Sequence, residues 1–574
     1  MNRIPGFSRW GLTASAAVVL AACDASPLTA DDSLLRYVPA DTPYVAAFVE
    51  PMPDDMSDMY AAQTEAMLLM LQTIMEAGLE ELQVSGAPGE AVEALEFLRE
   101  SLTPESIETL GFNRDTSVVV YGYGMLPVLR ATLTEGHDFN GFLDRLGTLL
   151  EQNGASLETG NIAGQTYRYL GDETASVAIV VTDEELAITI VPGFFGDEQV
   201  ASMLGFELPA ESIASSGRLE DIAEEYGFSS HMVALFDVER FVGNFLGSAS
   251  GTDVMLLDLA GFNAQSMSAV CRDEFREMVA VAPAIVGGYT ELGTEAMEMN
   301  VVFEMRQDIA AGLATIPAAA AGLGVETDAL MSFGMSIDIP AARDFVMARL
   351  DAFEADPYEC EELADMSSQI PMARMQLNQP LPPFVEGLTG IAAVMDFGGL
   401  DTMMMTGMPQ DLSGAVMIAT DSAADLLAMG ALFDPQLASL DLGTDGEIVE
   451  FSLPPGFAGP GMESFETIYL AATPSALAAG IGADAETKLQ QLLDAPAAAP
   501  GTFMTMSVDM QEYYGLQAEA IEMAAQMDPS MPVAVVNAMT GMMRSIQDMY
   551  SREHVTVRFT ERGVEIPVRI EMAD

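Results

Sequence analysis

Two hydrophobic periods alternate along the chain. Apolar side chains recur three or four positions apart over residues 56–82, which predicts an amphipathic helix. Near the end of the chain, apolar and polar residues alternate over 555–559 and again over 564–570. The residues Glu561-Arg562-Gly563 lie between these runs, which predicts a β-hairpin. Helix and strand patterns are both plentiful, and neighbouring strands are joined by short turns. The predicted fold class is therefore α+β, with mostly antiparallel sheets packed by helices.

Local signals predict where individual elements begin and end. Asp138 is a suitable N-cap and Asn153-Gly154 a suitable stop, so we expect a helix between them. Thr103-Pro104 predicts another helix start, because proline is tolerated in the first turn. Pro567 has no backbone N–H to donate to a ladder, so we expect its N–H side to face an edge of the sheet.

The chain repeats itself. Three segments of the first half resemble three segments of the second half in the same order. The matched pairs are 177–190 with 467–481, 231–237 with 503–509, and 297–305 with 564–572. Several matches in one order are typical of a repeat. We therefore predict two tandem-duplicated halves: a first α+β repeat at 23–328, which includes an N-terminal helical segment, and a second at 329–574.

Residues 1–22 have the layout of a secretory signal peptide. Arg3 and Arg9 form a basic start, and an uncharged apolar run over 11–22 follows, too short to span a bilayer. The run leads into Leu20-Ala21-Ala22-Cys23, which resembles a bacterial lipobox. In lipoproteins of that type the signal is cleaved before the cysteine, and the cysteine is acylated with chains such as palmitate. An ordinary signal peptide with an incidental cysteine is the alternative.

The lipobox resemblance implies that Cys23 is the lipidated first residue of the mature chain. It also implies that the lipid on Cys23 attaches the chain to a membrane. Multiple acyl chains give stable anchoring. The expected location is the cell envelope, facing the periplasm. The residue after the cysteine, Asp24, does not decide between the inner and the outer membrane. Residues 38–44, Val-Pro-Ala-Asp-Thr-Pro-Tyr, are similar to a recurrent opening of uncharacterised bacterial envelope lipoproteins. That resemblance implies a turn before the first strand and indicates no particular activity.

The strongly negative net charge of the chain excludes some classes of binding partner. Of 574 residues, 87 are acidic and 22 basic, for a formal net charge of −65, yet 50% are hydrophobic. A disordered polymer is excluded because enough apolar residues are present to form a core. Nucleic-acid binding is excluded because phosphate contacts require clustered Lys and Arg. Diffuse cations are expected at the acidic surface. Lys488 is the single lysine, so all other basic residues are Arg. Either codon bias or the weak hydration of Arg would explain this preference for Arg over Lys.

Cys271 and Cys360 form an even pair once Cys23 is assigned to lipidation. In an oxidising compartment such a pair predicts a disulfide. Closing so long a loop in the unfolded chain would contribute about 4 kcal/mol to stability. Two separate buried thiols are the alternative.

Signatures of catalysis and of cofactor binding are sparse. The three histidines form no metal-binding pair, and we find no G-x-S-x-G elbow, S-x-x-K pattern, P-loop or dinucleotide fingerprint. We therefore expect no enzyme activity, no catalytic residue and no cofactor. Methionine is abundant, at 41 residues, with clusters at 52–59, 403–405 and 539–543. Such clusters suit Cu(I), but methionine also serves as an adaptable core filler.

These observations favour a lipid-anchored, non-enzymatic binding or structural protein of the bacterial cell envelope. Its partner would be an envelope protein or ligand that the sequence does not identify. A metal- or ligand-handling lipoprotein that uses its Met clusters or carboxylates is the second hypothesis. An enzyme of unrecognised type is the third.

Overall fold

The computed structural model describes residue 28 and residues 33–50, 52–85, 89–249, 251–263, 266–398, 411–433, 442–452, 467–528 and 531–573. The described residues fall into two compact units. The first lies within Met1–Asn263, Val286–Thr294 and Ser530–Ser545, and the second within Ala264–Ile285, Glu295–Pro529 and Ile546–Asp574. The predicted signal peptide, Cys23 and the Met cluster at 403–405 lie outside the described residues.

Antiparallel strands form the sheet of the first unit. They are β1 (Tyr44–Phe48), β2 (Val118–Tyr123), β3 (Leu126–Thr132), β4 (Glu158–Ile162), β5 (Gln165–Gly171), β6 (Ala175–Val181), β7 (Glu185–Pro192) and β8 (Val233–Asp237). They pair in the order β4–β5–β6–β7–β3–β2–β1–β8. The next strand along the chain is β9 (Ala284–Leu292).

The helices of the first unit precede or connect these strands. They are α1 (Asp54–Ser85), α2 (Gly89–Ser101), α3 (Pro104–Thr109), α4 (Phe139–Gln152), α5 (Asp197–Leu204), α6 (Ile213–Ser216), α7 (Arg218–Tyr226), α8 (Val238–Gly243) and α9 (Thr252–Leu259). Leu34–Tyr37 forms a 3₁₀ turn and Asn244–Ser248 a π-helical segment.

Short-range signals explain several of these elements. The helix predicted over 56–82 is confirmed as α1, and the start predicted at Thr103-Pro104 is confirmed because the Thr103 hydroxyl accepts the Ser106 N–H at 3.0 Å. The helix predicted between Asp138 and Asn153 is α4. Phe139 and Leu143 of α4 form one core cluster with Leu186 of β7 and with Leu133, the residue after β3.

The described strands of the second unit also form an antiparallel sheet. Its strands are β10 (Ala296–Glu304), β11 (Met331–Ser336), β12 (Leu388–Gly398), β13 (Asp411–Thr420), β14 (Val449–Ser452), β15 (Thr467–Thr473), β16 (Ala476–Ile481), β17 (Thr502–Asp509), β18 (Tyr550–Phe559) and β19 (Gly563–Met572). They pair in the order β14–β15–β16–β13–β12–β11–β17–β18–β19–β10.

Eight helices in the described part of the second unit accompany this sheet. They are α10 (Ala269–Val279), α11 (Gln307–Leu313), α12 (Ile339–Ala355), α13 (Glu361–Leu377), α14 (Pro383–Glu386), α15 (Ala423–Phe433), α16 (Ala485–Asp494) and α17 (Met510–Met527). A further helix in the described residues is α18 (Val533–Met549). Leu489 and Leu492 of α16 pack into a core cluster with Met417 of β13 and Ala478 of β16.

The C-terminal hairpin is confirmed, but the expectation that the N–H side of Pro567 faces a sheet edge is wrong, because β19 has a partner strand on both sides. β18 and β19 pair through Phe559 and Val564, as the alternation predicts. β19 also pairs with β10, where Pro567 lies opposite Asn300, so Pro567 is inside the sheet. The β18–β19 register passes from Val555–Val568 directly to Arg558–Glu565. Pro567 lies in this gap, which explains why its missing N–H is tolerated there.

The fold class is α+β, with antiparallel sheets accompanied by helices. Of the helices in the described ranges, none combines the length and the apolar character needed to cross a bilayer. The repeat boundary near residue 328 concerns the sequence pattern and stays a prediction.

Candidate functional site

A cleft of about 980 Å³ lies in the first unit, among the segments that precede β1 and follow β2, β7 and β8. This volume is at the upper end of the range for small-molecule sites. The charged side chains on its described wall are five carboxylates and one guanidinium: Asp41, Glu207, Asp237, Glu239, Asp253 and Arg240. Aromatic side chains also line the cleft: Tyr37, Tyr123, Phe194 and Phe195.

The turn before β1 positions Asp41 on the cleft wall. The Thr42 N–H donates to the Pro39 carbonyl at 3.0 Å, which closes the turn. The buried Thr42 hydroxyl donates to the Gly122 carbonyl at 2.8 Å and accepts the Gly122 N–H at 3.2 Å. These bonds attach the turn to the end of β2. The turn carries the residues on which the resemblance to envelope lipoproteins rests.

Asp253 is the most buried acid of the cleft. It lies in the first turn of α9 and is 7% exposed. One carboxylate oxygen accepts the Met125 N–H at 3.0 Å, and the other accepts the Asn244 side-chain amide at 3.1 Å. Burial raises the pKa of Asp253 above its ordinary 3.8; the Met125 bond opposes this shift and the charge of Asp41 adds to it. Because both donors are neutral, a cation in the cleft would relieve the cost of ionising this acid.

Gly124 makes the approach of Asp253 possible. Its φ of +59° lies in the left-handed region that favours glycine, and a Cβ atom at this position would collide with the Asp253 carboxylate. Tyr44 lies beside the same carboxylate. Burial raises the pKa of Tyr44 to about 12, and the charge of Asp253 adds to the shift. Its hydroxyl is therefore a neutral donor, 3.4 Å from the Met125 carbonyl.

Arg240 contributes little net positive charge to the cleft because nearby carboxylates pair with it. Its Nη1 donates to the Asp41 carbonyl at 2.7 Å, and its Nε lies 3.4 Å from an Asp237 carboxylate oxygen. That same oxygen of Asp237 accepts a second guanidinium, from Arg218, at 2.7 Å. Asp253 and the two glutamates of the wall, Glu207 and Glu239, therefore leave the cleft anionic.

Arg130 supports the aromatic wall from within the sheet. It lies on β3, and its guanidinium carbon is 3.9 Å from the centre of the Tyr37 ring. Its Nε donates to the Tyr121 hydroxyl at 3.1 Å, and its Nη2 donates to the Met203 carbonyl at 3.1 Å. These two bonds hold the buried guanidinium in place, and the cation–π contact positions the Tyr37 ring beside the cleft.

The second unit contains a buried ion pair built on the single lysine. Lys488 of α16 is 7% exposed, and its Nζ lies 2.7 Å from an Asp396 carboxylate oxygen. The same Nζ donates to the Ser413 hydroxyl at 2.9 Å. The other oxygen of Asp396 accepts the Leu330 N–H at 2.6 Å. These bonds connect α16 with the ends of β12 and β13 and with the residue before β11.

The predicted site residues of the described chain lie apart from the cleft lining. Cys271 and Cys360 are both buried and joined by a disulfide, with an Sγ–Sγ distance of 2.11 Å and a Cα–Cα distance of 4.6 Å. Met56, from the first Met cluster, is fully buried on α1 as a core residue. Cys23 lies outside the described residues and its lipidation stays a prediction.

Sequence reasoning missed the residues that shape the cleft. Asp253 is one of 87 acidic residues, and the residue that donates to it, Met125, is 128 positions away. A weak signal existed, because Asp253 precedes Leu256 and Leu257 by three and four positions and so lies on the apolar side of a short helix. A charged residue on such a face is buried with partners or is functional.

No family model matches the chain, and comparison with curated proteins and with solved structures found no significant match.

Proposed function

We propose that this chain is a lipid-anchored, non-enzymatic binding protein of the bacterial cell envelope, and that the cleft of its first unit is the binding site. The observation that carries the proposal is the cleft itself, which combines an anionic wall with aromatic side chains. The anchor and the location rest on the lipobox at Leu20–Cys23.

The chemistry of the wall favours an organic cation, meaning an ammonium or guanidinium group on an apolar body. Carboxylates attract such a group, and aromatic faces bind cations by their ring quadrupole. Asp253 supplies the strongest local attraction because it is buried beside neutral donors. The aromatic pair Phe194 and Phe195, with ring centres 5.2 Å apart, offers apolar surface to the body of the ligand.

Thermal unfolding of the chain with Cys23→Ser tests the binding site. Two probes are added separately, spermine for charge and benzyltrimethylammonium for charge on an apolar body, each against NaCl of matched ionic strength. A ligand that binds only the folded state stabilises it by about 2.7 kcal/mol at a hundred times its Kd. We expect benzyltrimethylammonium to raise the melting temperature beyond the salt control, and Asp253→Asn to remove that increment.

Asp258→Asn is the matched control, because Asp258 is an exposed acid on the same helix α9 and does not line the cleft. It removes the same charge and should keep the increment. Equal increments in both variants would refute the cleft as the site. A response to Ca²⁺ alone would instead favour the metal-handling hypothesis. Metabolic labelling with a palmitate analogue tests the anchor: label should enter the wild-type chain and be lost with Cys23→Ser.

We also infer that the two sheets derive from a tandem duplication. The order β5–β6–β7–β3–β2–β1–β8 in the first unit corresponds strand for strand to β14–β15–β16–β13–β12–β11–β17 in the second. Asp237 and Asp509 end the corresponding strands β8 and β17, and each caps the helix that follows. The Asp237 N–H donates to Pro43 and the Asp509 N–H to Leu330, both at 2.8 Å.

The duplication is tested with sequences related to this chain. Profiles built separately from the two halves should align with each other across helices as well as strands. Profiles that match only within single strands would contradict a common origin.

A further inference from the structure

The disulfide of the second unit lies against a third potential metal ligand. A carboxylate oxygen of Glu362 is 2.9 Å from the sulfur of Cys271 and 3.0 Å from the sulfur of Cys360. Among the described residues, this is the one group of three or more His, Cys, Asp or Glu whose ligand atoms all lie within 4.8 Å of one another. Two thiolates and a carboxylate form a donor set that suits Zn²⁺.

The disulfide alone does not account for the position of Glu362. Bonded sulfurs carry no hydrogen, so neither can donate to the carboxylate, and three electron-rich atoms meet without a donor between them. The same three atoms are compatible once a cation lies between them. Glu362 is exposed to solvent and both cysteines are buried. An ion can therefore approach from the solvent and bind against two buried sulfurs.

Two helices hold the three groups in place. Cys271 lies in the first turn of α10, and Cys360 directly precedes α13, whose second residue is Glu362. The Glu274 carboxylate of α10 accepts the N–H groups of Glu359 and Cys360 at 2.6 and 3.0 Å, which attaches the start of α13 to α10. Both sulfurs therefore lie at helix N-termini, where the helix dipole favours negative sulfur.

We propose that reduction of this disulfide converts it into a Zn²⁺ site formed by Cys271, Cys360 and Glu362, with water as the fourth ligand. An external dithiol supplies two electrons and two protons, the S–S bond breaks, and the dithiol becomes a disulfide. Zn²⁺ then replaces the two thiol protons, which are released to solvent. Tetrahedral Zn–S bonds of about 2.3 Å place two sulfurs about 3.8 Å apart. Side-chain rotation accommodates that separation.

The zinc form would keep the cross-link that the disulfide provides. Both closures join the same two residues, which are 89 positions apart. The two closures exclude each other because each uses both sulfurs. The second unit would therefore keep this cross-link under oxidising conditions and under reducing conditions with zinc.

Co²⁺ is the probe, because cobalt bound by thiolates absorbs by charge transfer and diffuse binding by surface carboxylates does not. The full chain is reduced with a phosphine, the phosphine is removed without air, folding is checked by circular dichroism, and Co²⁺ is added. We expect one Co²⁺ per reduced chain with a thiolate band, displaced by one equivalent of Zn²⁺, and no band for the oxidised chain.

The comparison of two adjacent acids tests the third ligand. Glu362→Gln should weaken Co²⁺ binding about tenfold or more, by the scale on which ligand-shell changes alter metal affinity. Glu361→Gln removes the same charge from an exposed neighbour and should leave the affinity unchanged. The proposal fails if folded, reduced chain shows no thiolate band, or if the two variants bind Co²⁺ equally well. Neither result bears on the cleft of the first unit.

Discussion

Replacing the single lysine by methionine should destabilise the second unit strongly. Methionine has an unbranched stem of similar length, so Lys488→Met preserves the packing of α16 and removes only the charge and its hydrogen bonds. The Asp396 carboxylate then loses its partner at 2.7 Å, and the Ser413 hydroxyl loses a donor at 2.9 Å. Asp396 keeps the Leu330 N–H, so part of its hydrogen bonding survives.

The magnitude follows from the exposure of the two partners. Breaking a fully buried ion pair costs about 3–5 kcal/mol, mostly because the remaining charge is left unpaired. The Lys488 side chain is 9% exposed but that of Asp396 is 30% exposed, so water solvates part of the remaining carboxylate. We therefore expect a loss of about 2–3 kcal/mol in the free energy of unfolding.

Hydrogen exchange of peptides from β12, β13 and α16 is the suitable assay, since it reports the second unit separately from the first. Asp396→Asn and the double variant with Lys488→Met complete a double-mutant cycle. Asparagine still accepts the Leu330 N–H, and the double variant leaves no buried charge, so it should be more stable than the two single losses predict. A loss below about 0.5 kcal/mol for Lys488→Met, or a coupling energy below that value, would refute the reasoning.

Three further predictions concern the cleft and the disulfide. The raised pKa of Asp253 means that the folded chain binds this proton more tightly than the unfolded chain does. The associated stability is present below the ordinary pKa of 3.8 and is lost as pH rises through the higher, folded value. Urea unfolding from about pH 4 to about pH 8 should thus show the wild type losing stability relative to Asp253→Asn, and parallel profiles would contradict this. Gly124→Ala should cost about 1–3 kcal/mol and weaken benzyltrimethylammonium binding, because the added Cβ collides with Asp253; titration calorimetry with unchanged affinity would contradict it. Ser replacing both Cys271 and Cys360 should lower stability by about 4–5 kcal/mol in metal-free buffer, whereas reduction of that variant should change nothing further.

Patterns local in sequence predicted the elements well. The period of α1 and the alternation of β18 and β19 are each contained in a few tens of residues, so neighbouring residues alone define them. The prediction for Pro567 is wrong because the rule that proline needs a sheet edge ignores gaps in the hydrogen bonding between paired strands. Where such a gap lies depends on the register of the two strands. Register is set by side chains that meet only after folding.

The cleft and the buried charges were beyond local patterns for a different reason. The partners of Lys488 are 75 and 92 residues away in sequence, and those of Asp253 come from two separate segments. With 87 acidic residues, composition cannot distinguish a buried acid from a solvated one. The rarity of lysine was visible from the start. That rarity does not show that Lys488 lies on the buried face of α16, beside Leu489 and Leu492.

Because the chain has a single lysine and this lysine is buried, a reaction at Lys488 measures the opening of helix α16. A lysine-specific endoprotease has one peptide bond to cut, after Lys488, and the folded helix α16 shields it. Cleavage therefore requires this helix to open, and when reclosing is fast its rate follows the population of the open form. Amine-reactive reagents reach the same side chain only through the same event. The opening equilibrium of helix α16 can thus be followed in the unaltered protein, without an introduced label.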